Sequence, residues 1–158
     1  MSFPGFRIGW TLFSGPSELL GDYIGGVNRM ARARLSASHP MQYAVPAALD
    51  GPQDHINAML KELTLRRDMT VKMLNEIEEI ECRVPKGAFY AFPRLHIPES
   101  DENFVKDLIR ETGVVAVHGS GFGQKEGTKH LRIVFLPDEA LLEKAYDKIR
   151  AFVRRRYH

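Results

Sequence analysis

The sequence predicts an α/β fold: a small sheet covered by helices in its C-terminal half, preceded by helical segments without a sheet of their own. Three observations predict it. From residue 81 onward, short β-branched and aromatic runs alternate with two amphipathic, capped segments. Between about Gln53 and Ile77, apolar residues recur at three- and four-residue steps, the period of a long helix. The first eighty residues hold a single strand-like run and no partner for it. At 158 residues the chain has room for one compact domain or for pieces of two.

Taken in order, Phe6 to Phe13 is β-branched and aromatic and stops at Ser14-Gly15-Pro16, which predicts a strand, a turn, and a helix with Pro16 at its first position. That helix runs through Leu19, Tyr23, Val27 and Met30, ending by Leu35, with glycines that suit close packing. Ser36 to Pro40 is a break, Met41 to Leu49 a short helix, and Asp50-Gly51-Pro52 its end. The long helix from Gln53 to Ile77 is a candidate strut between two domains. Beyond it the expected elements are a strand at Cys82 to Val84, a turn at Pro85-Lys86-Gly87, and a strand at Ala88 to Phe92. Ser100 caps a helix whose first turn carries Asp101 and Glu102, and Gly113 ends it. A strand at Val114 to Val117, a glycine-rich loop at His118 to Lys129, a strand at His130 to Leu136 and a helix at Asp138 to Arg156 complete the chain.

A formal net charge of +2 is too small to argue for nucleic acid or an acidic membrane surface. The closing Arg154, Arg155 and Arg156 fit a solvated helix end. One cysteine, Cys82, forbids an internal disulfide and suits a reducing, cytoplasmic compartment. The histidines lack paired ligand spacing, so no metal site is expected, and no apolar run reaches the length of a membrane span.

Two arginines sit in apolar runs. Arg132, in Leu131-Arg132-Ile133-Val134-Phe135, shares a strand face with Val134 while Leu131, Ile133 and Phe135 point the other way. A guanidinium there needs either an acidic partner across the sheet or an anionic ligand that its planar fork can grip. Arg7 poses the same choice, with a phosphate contact as its functional reading. Ser120 and His118 lack an assignable carboxylate, so a nucleophilic triad is unsupported, and Tyr90 reads as packing. The loop His118-Gly119-Ser120-Gly121-Phe122-Gly123 lacks phosphate-cradle spacing and reads as a turn delivering Arg132 to a cleft.

In this order, "PGFRIGW", "PKGAFYAFP", "VHGSGFG" and "HLRIVFLP" resemble the class I/II aminotransferases, nearest their alanine aminotransferase-like branch. The resemblance covers nearly the whole chain. It implies a fold-type I pyridoxal-5'-phosphate enzyme, homodimeric, exchanging an amino group between an amino acid and a 2-oxo acid. It also implies a cofactor-phosphate contact at Arg7 and a substrate α-carboxylate contact at Arg132. Residues 1–50 would be a remnant of the large cofactor-binding domain, 51–80 a connecting helix, and 81–158 the small C-terminal domain. The family's Schiff-base lysine lies eight positions before the first arginine, which counts back to two places before Met1. The expectation is therefore a C-terminal portion with no catalytic lysine, inactive alone, not itself retaining the cofactor, and exposing apolar surface before about residue 50, hence self-association or disorder there. The alternative is a non-catalytic structural or interaction remnant of the small domain.

Overall fold

The computed structural model describes residues 7–158. The chain divides into two compact units, Met1–Ala58 and Met59–His158. The first holds α1 (Ser17–Ala33), α2 (His39–Gln42) and α3 (Ala44–Asp50), and α4 (Asp54–Asn75) starts in it and continues through the second. The expected strand at Phe6 to Phe13 is corrected: Phe6 lies outside the described residues, and residues 7–13 form no strand. A strand needs a ladder partner, and the described residues of this unit supply none. Pro16 is the cap residue before α1 rather than its first residue. The expected helix at Met41 to Leu49 is split at Tyr43. The ring of Pro46 would collide with the carbonyl of Gln42 in an unbroken helix.

No described residue of this first unit is buried. Trp10 is 61% exposed, Leu12 78%, Leu19 77% and Met30 70%, so the apolar surface expected from the sequence is present.

The second unit carries β1 (Ile80–Glu81), β2 (Tyr90–Ala91), β3 (Arg94–Leu95), α5 (Asp101–Thr112), β4 (Val117–His118), β5 (Leu131–Val134) and α6 (Glu139–Tyr157). Strand β1 pairs antiparallel with β3, and β5 lies between β2 and β4, antiparallel to both. Tyr90 stands opposite Val134, and the bridge of Arg94 to His130 keeps that register, so the two small sheets run into one another. Along this run Ala91, Pro93, Leu95 and Ile97 are buried and the residues between them exposed, the alternation of a sheet covered on one face.

The covering layer is helical. Phe104, Val105 and Leu108 of α5, with Leu142, Tyr146, Ile149, Phe152 and Val153 of α6 and Leu74 of α4, close over Ile80, Ala91, Leu95, Leu131 and Phe135. Capping fixes the helix ends. Ser100 Oγ accepts from Asn103 N at 3.2 Å, Asp138 Oδ1 accepts from Leu141 N at 2.8 Å, and Gly113 closes α5 at φ 72°. The terminal arginines do more than meet solvent: Arg156 reaches Glu99 and Asp107, each at 2.8 Å, and clips α6 to the region of α5.

Four strand boundaries differ from expectation. The strand expected at Val114 to Val117 is β4 at Val117–His118, and the one expected at His130 to Leu136 is trimmed to Leu131–Val134. The other two have local causes. At Cys82 to Val84 the strand lies earlier, at Ile80–Glu81, because the Asn75 side chain takes both backbone groups of Cys82, at 2.8 and 2.9 Å. At the run from Ala88 to Phe92 the strand begins later, because Ala88 has φ 58°. Cys82 is a buried free thiol pushed up to about 11 by desolvation. Among the described residues no helix is long and apolar enough to cross a membrane, and no group of three or more potential ligands suits a metal.

Candidate anion-binding site

The uncovered face of the sheet gathers the side chains that alternate away from the core. Tyr90 contributes from β2 and Phe92 from just after it, Arg132 and Val134 from β5 and His130 from just before it, and Val117, opposite Arg132, from β4. Their placement follows from the period of two along each strand. Of the expected inward set, Leu131 and Phe135 are buried and Ile133 is half-buried against the core, which agrees with the register read from the sequence.

Arg132 is half-buried, and no carboxylate among the described residues lies within ion-pairing distance of it. Its Cζ stands 3.8 Å from the centre of the Phe122 ring and 4.9 Å from that of Tyr90. The acidic partner across the sheet, one of the two readings open from the sequence, is therefore not found. Two aromatic faces hold the cation instead. They leave its in-plane N–H groups, the donors that grip a carboxylate in two parallel bonds, without an acceptor among the described residues. Tyr90 is accordingly part of the site, not packing alone. Phe122, which sequence reasoning missed, comes from the glycine-rich loop.

That loop is fastened. Residues Gly119–Phe122 form a 3-10 turn. Asp101 Oδ2 accepts from the backbone N–H of Ser120 and from Gln124 Nε2, both at 2.9 Å, and more distantly from His130 N at 3.5 Å. His118 Nδ1 meets Ser120 Oγ at 2.7 Å. Asp101 thus bonds Ser120 and not the His118 ring, which is no nucleophilic triad.

Burial acts to raise the Asp101 carboxyl, yet the bonds from Gln124, Ser120 and His130 outweigh it and hold the group below its ordinary value of 3.8. His130 is held below its ordinary value of 6.5, first by burial and then by Arg94, with Asp101 and Glu81 opposing. Both depressed groups have one sign: the unfolded chain binds the proton more readily, so stability is lost as pH falls. The decline should begin below about pH 6.5 with His130 and steepen below about pH 4 with Asp101 and the other depressed carboxylates, Glu99, Glu102 and Glu139. Urea midpoints measured from pH 7 to pH 3 should show both limbs, and Asp101→Asn should flatten the acid one. A midpoint that rises on acidification would contradict this.

Arg7, in the first unit, is exposed, with φ 53°. It lines a pocket of about 430 Å³ with Val27, Met30, Ala31, Arg34, Ser36 and Ala37. Two guanidinium groups and a hydroxyl in an otherwise apolar wall suit a doubly charged phosphate.

The chain as a whole belongs to a known class. The family model "Aminotransferase class I and II" matches residues 1–149, and the chain belongs to that family. It is 37% identical over 155 residues to the "Glutamate-pyruvate aminotransferase AlaA" of Haemophilus influenzae, covering 94% of this chain and 38% of the relative. To the "Alanine aminotransferase" of Mycobacterium bovis it is 36% identical over 156 residues, covering 94% and 36%. Among solved structures, the alanine aminotransferase of Pyrococcus furiosus superposes with a TM-score of 0.86 at 40% identity, over 96% of this chain and 39% of that one. An Escherichia coli aminotransferase gives 0.82 at 30% identity, over 96% and 39%. The chain thus spans well under half the length of each of these relatives.

Proposed function

We propose that the whole protein is a pyridoxal-phosphate-dependent aminotransferase that moves an amino group between an alanine-like amino acid and a 2-oxo acid. Arg132 binds the substrate α-carboxylate and Arg7 the cofactor phosphate. The observation that carries this reading is the half-buried Arg132 guanidinium, clasped by two rings and paired with no described carboxylate. The names of the relatives favour alanine and glutamate as donors.

When bound, pyridoxal phosphate supplies the electron sink that the reaction needs. The residues of this chain supply position. The Arg132 fork takes both carboxylate oxygens and so fixes the orientation of the amino acid's Cα. Tyr90 and Phe122 shield the cation from water on its faces, which strengthens its hold on an anion. Arg7, with Arg34 and Ser36 beside it, holds the phosphate end. In this reading residues 1–50 belong to the large cofactor-binding domain, 51–80 to the connecting helix and 81–158 to the small domain. The exposed apolar side chains of the first unit support a homodimer, and the free Cys82 thiol a cytoplasmic setting.

The test is an assay of the whole protein with L-alanine and 2-oxoglutarate, following pyruvate. Pyruvate should form in proportion to bound cofactor. In Arg7→Ala the cofactor should dialyse away, with affinity lower by about 1.5–3 kcal/mol for the lost charged contact. No pyruvate, and no product from any amino donor tried, would overturn the proposal.

A further inference from the structure

We propose that Asp101 is a positioning residue for Arg132, acting through the 118–124 loop: its buried carboxylate fastens that loop to β5 so that Phe122 lies on the guanidinium. The inference rests on Arg132 as the carboxylate receptor and adds what aims it.

Asp101 is 3% exposed, and no cation pairs with it among the described residues. A buried carboxylate is tolerable only when its oxygens are filled by donors. Here the donors come from the loop and from the start of β5: Ser120 N, Gln124 Nε2 and His130 N. Helix capping does not require this carboxylate, because Ser100 already caps α5. The negative charge is directed at the loop.

The other contacts of the loop make the fastening specific. Gly119 N donates to His130 O at 2.7 Å. A Cβ on Gly119 would come within 2.6 Å of both His130 Cβ and Gln124 Oε1, so only glycine lets the backbone approach this closely. Gln124 Nε2 donates to Asp101, which leaves Gln124 Oε1 as an acceptor. His130 Nδ1, 3.1 Å away, therefore carries the proton between them. The His130 ring in turn stacks on Phe92 at 4.7 Å and 9°. Phe122 lies between the two fastened points, Ser120 and Gln124, and is flanked by Gly121 and by Gly123 at φ 68°. A phenylalanine between two glycines has little of its own to hold it. Release of Ser120 and Gln124 frees the ring, and with it one wall of the Arg132 site.

The test is the side-chain Nε–Hε signal of Arg132 in the isotope-labelled 158-residue chain, without ligand. A ring face 3.8 Å from the guanidinium shields that proton, so the wild-type signal should lie upfield of exposed arginines. Phe122→Leu should move it downfield, and Asp101→Asn should do the same while backbone amides of the α5–α6 core stay in place. An Asp101→Asn signal that stays where the wild type has it, while Phe122→Leu moves, overturns the proposal. Should Asp101→Asn fail to fold, Gln124→Ala decides the matter: movement supports the fastening, and no movement overturns it. In a 2-oxoglutarate titration, Asp101→Asn should bind roughly tenfold more weakly, and wild-type affinity would overturn the proposal. If the wild-type signal ignores carboxylates altogether, the receptor reading of Arg132 fails, whereas the ring-shift comparison still decides the role of Asp101.

Discussion

Arg132→Lys is expected to lower kcat/KM of the whole protein for amino-acid substrates by about tenfold to a hundredfold, or about 1.5–3 kcal/mol. Lysine keeps the charge, so a loss of this size would report geometry. An ammonium is a compact point charge on a flexible stem, and it cannot make two parallel bonds to one carboxylate or lie flat between two rings. The site is built for the flat group: Phe122 and Tyr90 stand 3.8 and 4.9 Å from the guanidinium carbon. Misaimed substrate should also depress kcat, since the α-carbon would no longer be held in register. Unchanged kinetics with alanine and glutamate would remove Arg132 from the site.

Phe152→Ala should destabilise the second unit by about 3–5 kcal/mol, as truncations of buried aromatic residues do. Phe152 is 1% exposed and meets Phe104 edge-to-face at 5.4 Å, joining α6 to α5. Removal leaves a void in the buried layer between the two helices, which the ion pair of Arg156 with Asp107 at their surface does not fill. Exposed ion pairs of that kind contribute about 0–1 kcal/mol and cannot compensate. The loss is a large share of a typical domain stability of about 5–15 kcal/mol. Urea unfolding followed by far-UV circular dichroism measures it, and a change below about 1 kcal/mol would contradict the packing described.

What the sequence made legible was mostly local. Ser100, Gly113 and Asp138 marked helix ends correctly because cap chemistry acts over three or four residues. The period of apolar residues found α4, and alternation found which face of β5 carries Arg132. Non-local facts were not legible. The run at residues 7–13 has strand composition, but a strand is made by its partner, and composition cannot supply one. Strand β3 went unread because Pro93 interrupts its run, although that proline sits where its missing N–H is not needed and its carbonyl accepts from Leu131. Asp101 looked like an ordinary first-turn acid; its burial depends on a loop about twenty residues onward. The choice at Arg132 between an acidic partner and a ligand stayed open for the same reason. Tyr90 and Phe122 are brought to it by the β2–β5 register and by the fastened loop.

The receptor role of Arg132 is tested most directly by titrating the labelled chain with L-alanine and, separately, with L-alaninamide, which has the same side chain and amine but no carboxylate. The Arg132 Nε–Hε signal should move saturably with L-alanine and stay still with the amide. Equal movement with both, or none with either, would contradict a carboxylate-binding guanidinium at this position.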